Sequence, residues 1–199
     1  MRKLERILIS LFIIGLILQI IPIAGGSLLI VLALSCLAIV YFMGGVLLFQ
    51  GISLRDLIKG NTSGIMKDFK AIVLSIAAGF FCSVIAVGIM FRVQAWPGAA
   101  LQLGAGLGGM TIVSALAFFM YSDKSKDPLK SILIHTAAWG LVSAFLLIVS
   151  PTFFLEIKYR SDQEYVRLMK EVHENPGDSA AEKRLYDYRE SMSRSVNGE

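Results

Sequence analysis

The chain has 199 residues, 55% hydrophobic and 17% charged, with a formal net charge of +4 at pH 7 and a mean hydropathy of +0.67. An ordinary soluble domain carries about 25% charged residues, so the composition excludes a soluble globular chain and reads as a membrane protein whose principal partner is the lipid bilayer. A pI near 9.1 invites nucleic acid as a partner, but the basic residues sit in short loops beside apolar runs and form no stripe with base-stacking aromatics, which excludes it.

Charge is also segregated: residues 156–199 hold 8 of the 19 Lys and Arg and 10 of the 15 Asp and Glu. The remainder reads as an all-α, polytopic helix bundle, a transmembrane domain over residues 1–155 followed by an extramembrane helical tail over residues 156–199. Met1 to Arg6 is a charged head and residues 7–23 an apolar run. A signal peptide has the same layout, but Ile23-Ala24-Gly25-Gly26 offers no clear cleavage site and a second apolar run follows at once, so a first membrane helix is expected. At 1.5 Å per residue that run reaches about 25 Å, enough to span.

Residues 28–49 form a second span, joined to the first by a short turn containing Pro22. Residues 51–70 are polar, with Asn61-Thr62-Ser63-Gly64 as a turn signal, and read as a solvated loop with room for a short surface helix. Residues 71–92 and 98–121 are the third and fourth spans, residues 122–130 a second charged loop, and residues 131–155 a fifth span containing His135 and Trp139. Lys and Arg number ten across the N-terminus and the two charged loops, against one, Arg92, on the opposite side. The positive-inside rule therefore puts the N-terminus in the cytoplasm and, with five spans, the C-terminal tail in the periplasm of a bacterial inner membrane.

In the tail, Ser161-Asp162-Gln163-Glu164 fits a capping box, followed by Tyr165, Leu168, Met169 and Val172 at helical spacing. Asn175-Pro176-Gly177 breaks the pattern, and Ser179 opens a second helix with Ala181, Leu185, Tyr188 and Met192 as its stripe. So small a hairpin has too little core to stand alone, and is expected to dock on the membrane domain, a second copy of the chain or another protein.

Within the spans, the letters G-x-G-x-x-G over Gly104 to Gly109 lack the strand and following acidic residue that a dinucleotide site needs. They read better as packing: Ala100, Gly104 and Gly108 recur every four residues, as do Ala105 and Gly109, Ser75, Gly79 and Ser83 in the third span and Thr136, Gly140 and Ala144 in the fifth, giving faces on which helices approach closely within a bundle or in self-association. Cys36 and Cys82 lie in apolar runs, where a thiol behaves as a small hydrophobe. No Asp or Glu falls inside the five predicted spans, and the two histidines, His135 and His173, are assigned to opposite sides. No metal site, cofactor site or catalytic His-carboxylate pair is therefore expected within the bilayer. Arg92 is expected to snorkel to the outer interface beside Trp96, one turn before the Pro97 that ends its span. Gln19-x-x-Pro22 and Gln94-x-x-Pro97, 75 residues apart, raise the possibility of two parallel hairpin repeats, although proline at a helix end explains the same pattern.

Phe91-Arg92-Val93-Gln94-Ala95-Trp96-Pro97-Gly98 and the Gly-rich span after it resemble the hydrophobic-Phe-Lys-x-x-His-Trp-Pro-Gly corner in the N-terminal hairpin of the gliding-motility motor membrane subunit of Bacteroidota, associated with type IX secretion. The likeness covers residues 85–120. Arg92 stands at the Lys position, Trp96 and Pro97 match, and Ala95 replaces the His. The resemblance implies the hairpin and not the motor activity, because that family carries a membrane-embedded Glu where this chain has Gly109, Met110, Thr111 and Ser114.

Two functions are expected from these features. The first is a non-enzymatic scaffold or accessory subunit that presents the tail to a partner, with Arg92, Gln94, Trp96, Pro97, Gly104 and Gly108 as structural or interface residues. The second is a transport or ion-coupled component with Arg92, Gln94, Gln19 and Gln102 along a path. An intramembrane enzyme ranks below both, since no nucleophile stands beside a base.

Overall fold

The computed structural model describes residues 2–21, 25–52, 69–120, 127–150, 152–160, 162–175 and 177–197. They form helices α1 (Arg2–Ile20), α2 (Gly26–Phe49), α3 (Phe69–Val93), α4 (Ala99–Met120), α5 (Asp127–Ile148), α6 (Phe153–Lys158), α7 (Gln163–Glu174) and α8 (Ser179–Asn197), with no strand among the described residues. The chain divides into two compact units, Met1–Ser150 and Pro151–Glu199.

In the first unit α1 packs on α2, α2 on α3, α3 on α4 and α4 on α5, and α5 closes the bundle by returning against α3 and α2. Four helical stretches are long and apolar enough to cross a membrane: Gly26–Phe49, Phe69–Val93, Ala99–Met120 and Lys130–Ile148. α1 is 19 residues long but opens with Arg2, Lys3, Glu5 and Arg6. Its outward face is apolar, with Ile7, Ile13, Ile14, Ile17 and Ile20 all exposed. The Gln-x-x-Pro turn at Pro22, most of the 51–70 loop and residues 121–126 of the second charged loop lie outside the described residues.

Two expected boundaries move. The fifth span was expected to run to residue 155, but α5 stops at Ile148 and Leu155 belongs to α6. Pro151 disfavours helical backbone at the residue before it, so an apolar composition continuing to Leu155 does not carry the helix through. Pro97 is likewise not what ends α3. Trp96 N–H donates to Phe91 O (2.8 Å) and Ala95 N–H to Arg92 O (3.2 Å), a Schellman pattern with Ala95 in the left-handed region at φ 55°. The helix is closed two residues before the proline.

Small residues do bring α2 and α3 together. A Cβ on Gly79 would lie 2.5 Å from Tyr41 O, and one on Gly45 would lie 2.9 Å from Gly79 Cα, so two backbones touch there. Gly104 and Gly108, expected to pack the bundle, do not. Both are exposed and have open space where a Cβ would stand. α4 turns Gly106 and Gly109 inward instead, against Ile85 and Phe81. Of the two every-fourth-residue stripes on α4, only the one ending at Gly109 reaches α3, and only at that residue, since Ala105 is exposed.

The second unit is built on Tyr165, Leu168 and Leu185, with Tyr159, Met169, Val172 and Tyr188 packed around them. Asp162 caps α7, accepting from Tyr165 N–H at 3.0 Å and also from Tyr188 Oη at 2.8 Å; the third helical position is then Tyr165, which has no carboxylate to return the bond as a capping box requires. Ser161, the expected cap, lies outside the described residues. Asp178 accepts from Ala180 N–H at the start of α8. Lys170 pairs with Glu156 at 2.7 Å, and Arg184 pairs with Glu171. The Lys170 ammonium, helped by the Thr152 hydroxyl, holds the Glu156 carboxyl below the ordinary range for glutamate.

Candidate functional site

α1 begins at Arg2, so Glu5 is a helical residue and not part of a solvated head. It falls in register with Leu8, Phe12, Gly15 and Gln19, a 3-4-3-4 spacing that defines the face of α1 buried in the bundle. Glu5 is accordingly only 7% exposed. Its Oε1 accepts from the Tyr41 hydroxyl of α2 at 2.6 Å and lies 2.9 Å from His135 Nε2 of α5. His135 Nδ1 is 2.7 Å from Ser131 O one turn earlier in α5. Trp139, one turn after His135, donates its indole N–H to Tyr41 Oη at 2.8 Å.

Aromatic edges close this cluster. The Tyr41 ring meets His135 and Trp139 edge-on at 6.3 and 6.0 Å, and Phe49 meets His135 at 5.0 Å. Tyr41 and Phe49 are fully buried. A carboxylate in such a setting costs several kcal/mol to desolvate and persists only where hydrogen bonds and an opposite charge offset the loss. Tyr41 and His135 are placed to supply the hydrogen bonds, and His135 supplies the opposite charge when it is protonated.

The expectation that no His-carboxylate pair forms inside the bundle is thereby overturned. Counting Glu5 with the charged head hid it, although its phase with Leu8 and Phe12 separates it from Lys3 and Arg6, which face outward. The sequence separation of 130 residues between Glu5 and His135 leaves no local pattern to join them.

Arg92 departs from expectation as well. It is 6% exposed, and its guanidinium turns inward: Nε–H donates to Leu146 O at 2.9 Å and Nη2 donates to Val149 O. Leu146 O lies in the last turn of α5 and Val149 O on the residue just after it, where carbonyls have no partner within the helix and sit at the negative end of its dipole. Arg92 is thus a clasp between α3 and α5. Trp96 is 44% exposed with its ring edge-on to Phe91 at 5.2 Å, and Pro97 is exposed beside it.

Gln94, two residues from Arg92, donates to Ser27 O at the start of α2 (3.2 Å), so the two side chains serve different helices. Gln19 is 7% exposed inside α1, and among the described residues neither its Oε1 nor its Nε2 has a hydrogen-bond partner; Gln102 Oε1 is also buried without one among them. Of the four residues expected along one path, Arg92 and Gln94 thus bond to different helices, α5 and α2. Gln19 and Gln94 also differ in setting, one within a helix and one just beyond a helix end.

A second polar link joins α4 to α5. Thr136 gives its hydroxyl hydrogen to Ile132 O (2.9 Å), so Ser114 must be the donor in the 2.5 Å contact between the two hydroxyls. Among the described residues no three His, Cys, Asp or Glu side chains are placed to hold a metal ion. What the Glu5 cluster offers chemically is a place for a proton, in a carboxyl, an imidazole and a phenol hydrogen-bonded across three helices.

Comparison with protein-family models, with curated proteins and with solved structures finds no match to this chain.

Proposed function

We propose that this chain is a five-span protein of a bacterial inner membrane, with its N-terminus in the cytoplasm, and that it acts as a non-enzymatic scaffold or accessory subunit presenting its C-terminal helical unit to a periplasmic protein partner. The observation that carries this reading is the smallness of that unit's core: among its described residues one cluster of three buried side chains, Tyr165, Leu168 and Leu185, packs together with partly buried neighbours, and Leu155, Val166 and Ala181 are the other buried apolar residues. Below about 70 residues such a core supplies only about 3–5 kcal/mol at best, so a partner that covers it adds needed stability. Tyr186, 66% exposed, and Met192 offer that partner apolar contacts on α8.

The fifth span is α1. Its outward isoleucines suit lipid, and its apolar residues from Ile7 to Ile20 reach about 21 Å, which the charged first turn extends into the headgroup region. With α1 inserted, the excess of Lys and Arg over residues 1–6, 51–70 and 122–130 orients the chain. A periplasm-active reporter fused after Glu199 is expected to be active and a cytoplasm-active one silent. Site-specific crosslinking from Tyr186 is expected to trap one partner, a second copy included. Reporter activity in the cytoplasm, or a monodisperse monomer that crosslinks to nothing after gentle extraction, refutes the reading.

One observation favours a second function, an ion-coupled membrane component related to the gliding-motility and type IX secretion motor subunit. The acid missing from α4 has a counterpart in Glu5, brought into the bundle by another helix and paired to His135. On that reading Glu5→Gln and Arg92→Ala reduce proton flux in reconstituted vesicles, and unchanged flux in both removes it.

A further inference from the structure

We infer that Glu5 and His135 hold one exchangeable proton between them, a buried proton-binding site that latches α1 to α5. Counting hydrogens across the cluster leads there. Ser131 O can only accept, so the 2.7 Å contact requires hydrogen on His135 Nδ1. A ring protonated at Nδ1 alone presents a lone pair at Nε2. An ionised Glu5 presents lone pairs as well, and two acceptors facing each other at 2.9 Å repel. The contact is attractive only with a further proton in it.

The neighbours say where that proton sits. Trp139 Nε1 can only donate, and it donates to Tyr41 Oη, which leaves the phenol hydrogen for Glu5 Oε1 at 2.6 Å. An oxygen already receiving a short hydrogen bond is best matched as a carboxylate, so the shared proton belongs on Nε2 and the pair is imidazolium and carboxylate. Among the described residues the other groups within electrostatic reach are Arg2 on α1 and the Cys82 thiol on α3, with Tyr41 from α2 and His135 from α5 in direct contact. The two residues titrate as one unit.

The site reads pH through its geometry. Loss of the shared proton on the alkaline side leaves carboxylate against lone pair, and repulsion loosens α1 from α5. A second proton on the acid side removes the carboxylate's charge and the ion pair with it. The latch is closed between these limits. Nothing in this requires the protein to move ions across the membrane, so the site and the transport reading stand or fall separately.

The test uses the full chain in lipid nanodiscs with 15N-labelled histidine, and His173→Gln to assign the signals. Near neutral pH both nitrogens of His135 are expected to be protonated, and as pH rises the loss of Nε2 hydrogen and a fall in unfolding temperature should share one midpoint. Glu5→Gln can donate its amide N–H to a neutral imidazole, so it should abolish the alkaline fall and return His135 to the Nδ1–H tautomer. A neutral His135 near neutral pH, with no infrared band from a protonated carboxyl that Glu5→Gln removes, overturns the inference. So does an alkaline fall that survives in Glu5→Gln. Should that variant fail to fold, the wild-type nitrogen shifts and carboxyl band decide alone.

Discussion

Among the described residues two buried sites in the apolar bundle hold ionisable side chains with long-range partners, and both involve α5, but they are built on different chemistry. Near its start His135 meets side chains, the carboxyl of Glu5 and, through it, the phenol of Tyr41. Eleven residues on, about 16 Å along the helix, the carbonyls of Leu146 and Val149 receive Arg92. A guanidinium stays charged at any ordinary pH, and a backbone carbonyl has no proton to exchange, so the Arg92 clasp has a single state. The Glu5 cluster has at least two. A bundle can thus carry one fixed joint and one that answers to its surroundings on the same helix.

Breaking each joint should separate them. His135→Ala leaves Glu5 buried with Tyr41 but without a counter-charge, a loss of about 3–5 kcal/mol. Thermal unfolding in detergent should show the largest drop here, and Glu5→Gln should show much less. Arg92→Met, which keeps the buried stem and abandons the α5 carbonyls, should cost about 1.5–3 kcal/mol by the same measurement, with no change in its pH dependence. If Arg92→Met instead alters the pH profile, the two sites are coupled and the contrast fails.

Smaller effects sharpen the packing side of the comparison. Gly79→Ala forces a methyl against Tyr41 O and should destabilise by about 1–3 kcal/mol, whereas Gly104→Ala, in open space on a helix, should be neutral or stabilising by about 0.5–1 kcal/mol. Ala95→Gly relieves a left-handed alanine and should stabilise by about 0.5–1 kcal/mol in the same assay. Smallest of all is a surface effect in the second unit. The Glu156 carboxyl is held low by Lys170, so the pair's contribution is present above the ordinary glutamate range and is lost as pH falls through the depressed value. With both side chains well exposed it is at most about 0.5 kcal/mol, and Glu156→Gln should flatten that acid-side slope.

Hydropathy made the helices from Gly26 to Ile148 legible, because their stretches of about 20 apolar residues admit few other readings. The stripes Tyr165-Leu168 and Ala181-Leu185 revealed the tail in the same way. The sites were harder to read. Arg92 stood out as a lone charge at a span end, yet only the end of α5 beside it turns a snorkelling residue into an inward one. Glu5 was concealed by its neighbours: Arg2, Lys3 and Arg6 made it look like one more flanking charge, and only its phase with Leu8 and Phe12 marked it as buried. Gly104 and Gly108 form a small-residue stripe that the bundle leaves on its surface, because α4 turns Gly106 and Gly109 to α3; the pattern alone does not tell packing within a bundle from contact with a second copy.

The hydrogen bond from Trp139 to Tyr41 has an optical consequence. The chain contains two tryptophans, and Trp139 is 7% exposed against 44% for Trp96. Indole emission is quenched by a nearby imidazolium and shifts with polarity, and Trp139 is one helical turn from His135 and one hydrogen bond from the phenol that touches Glu5. With Trp96→Phe removing the exposed emitter, the protein carries a single built-in fluorophore beside its buried acid. Its brightness against pH would follow the charge of that cluster in an unlabelled chain, in micelles, vesicles or whole membranes.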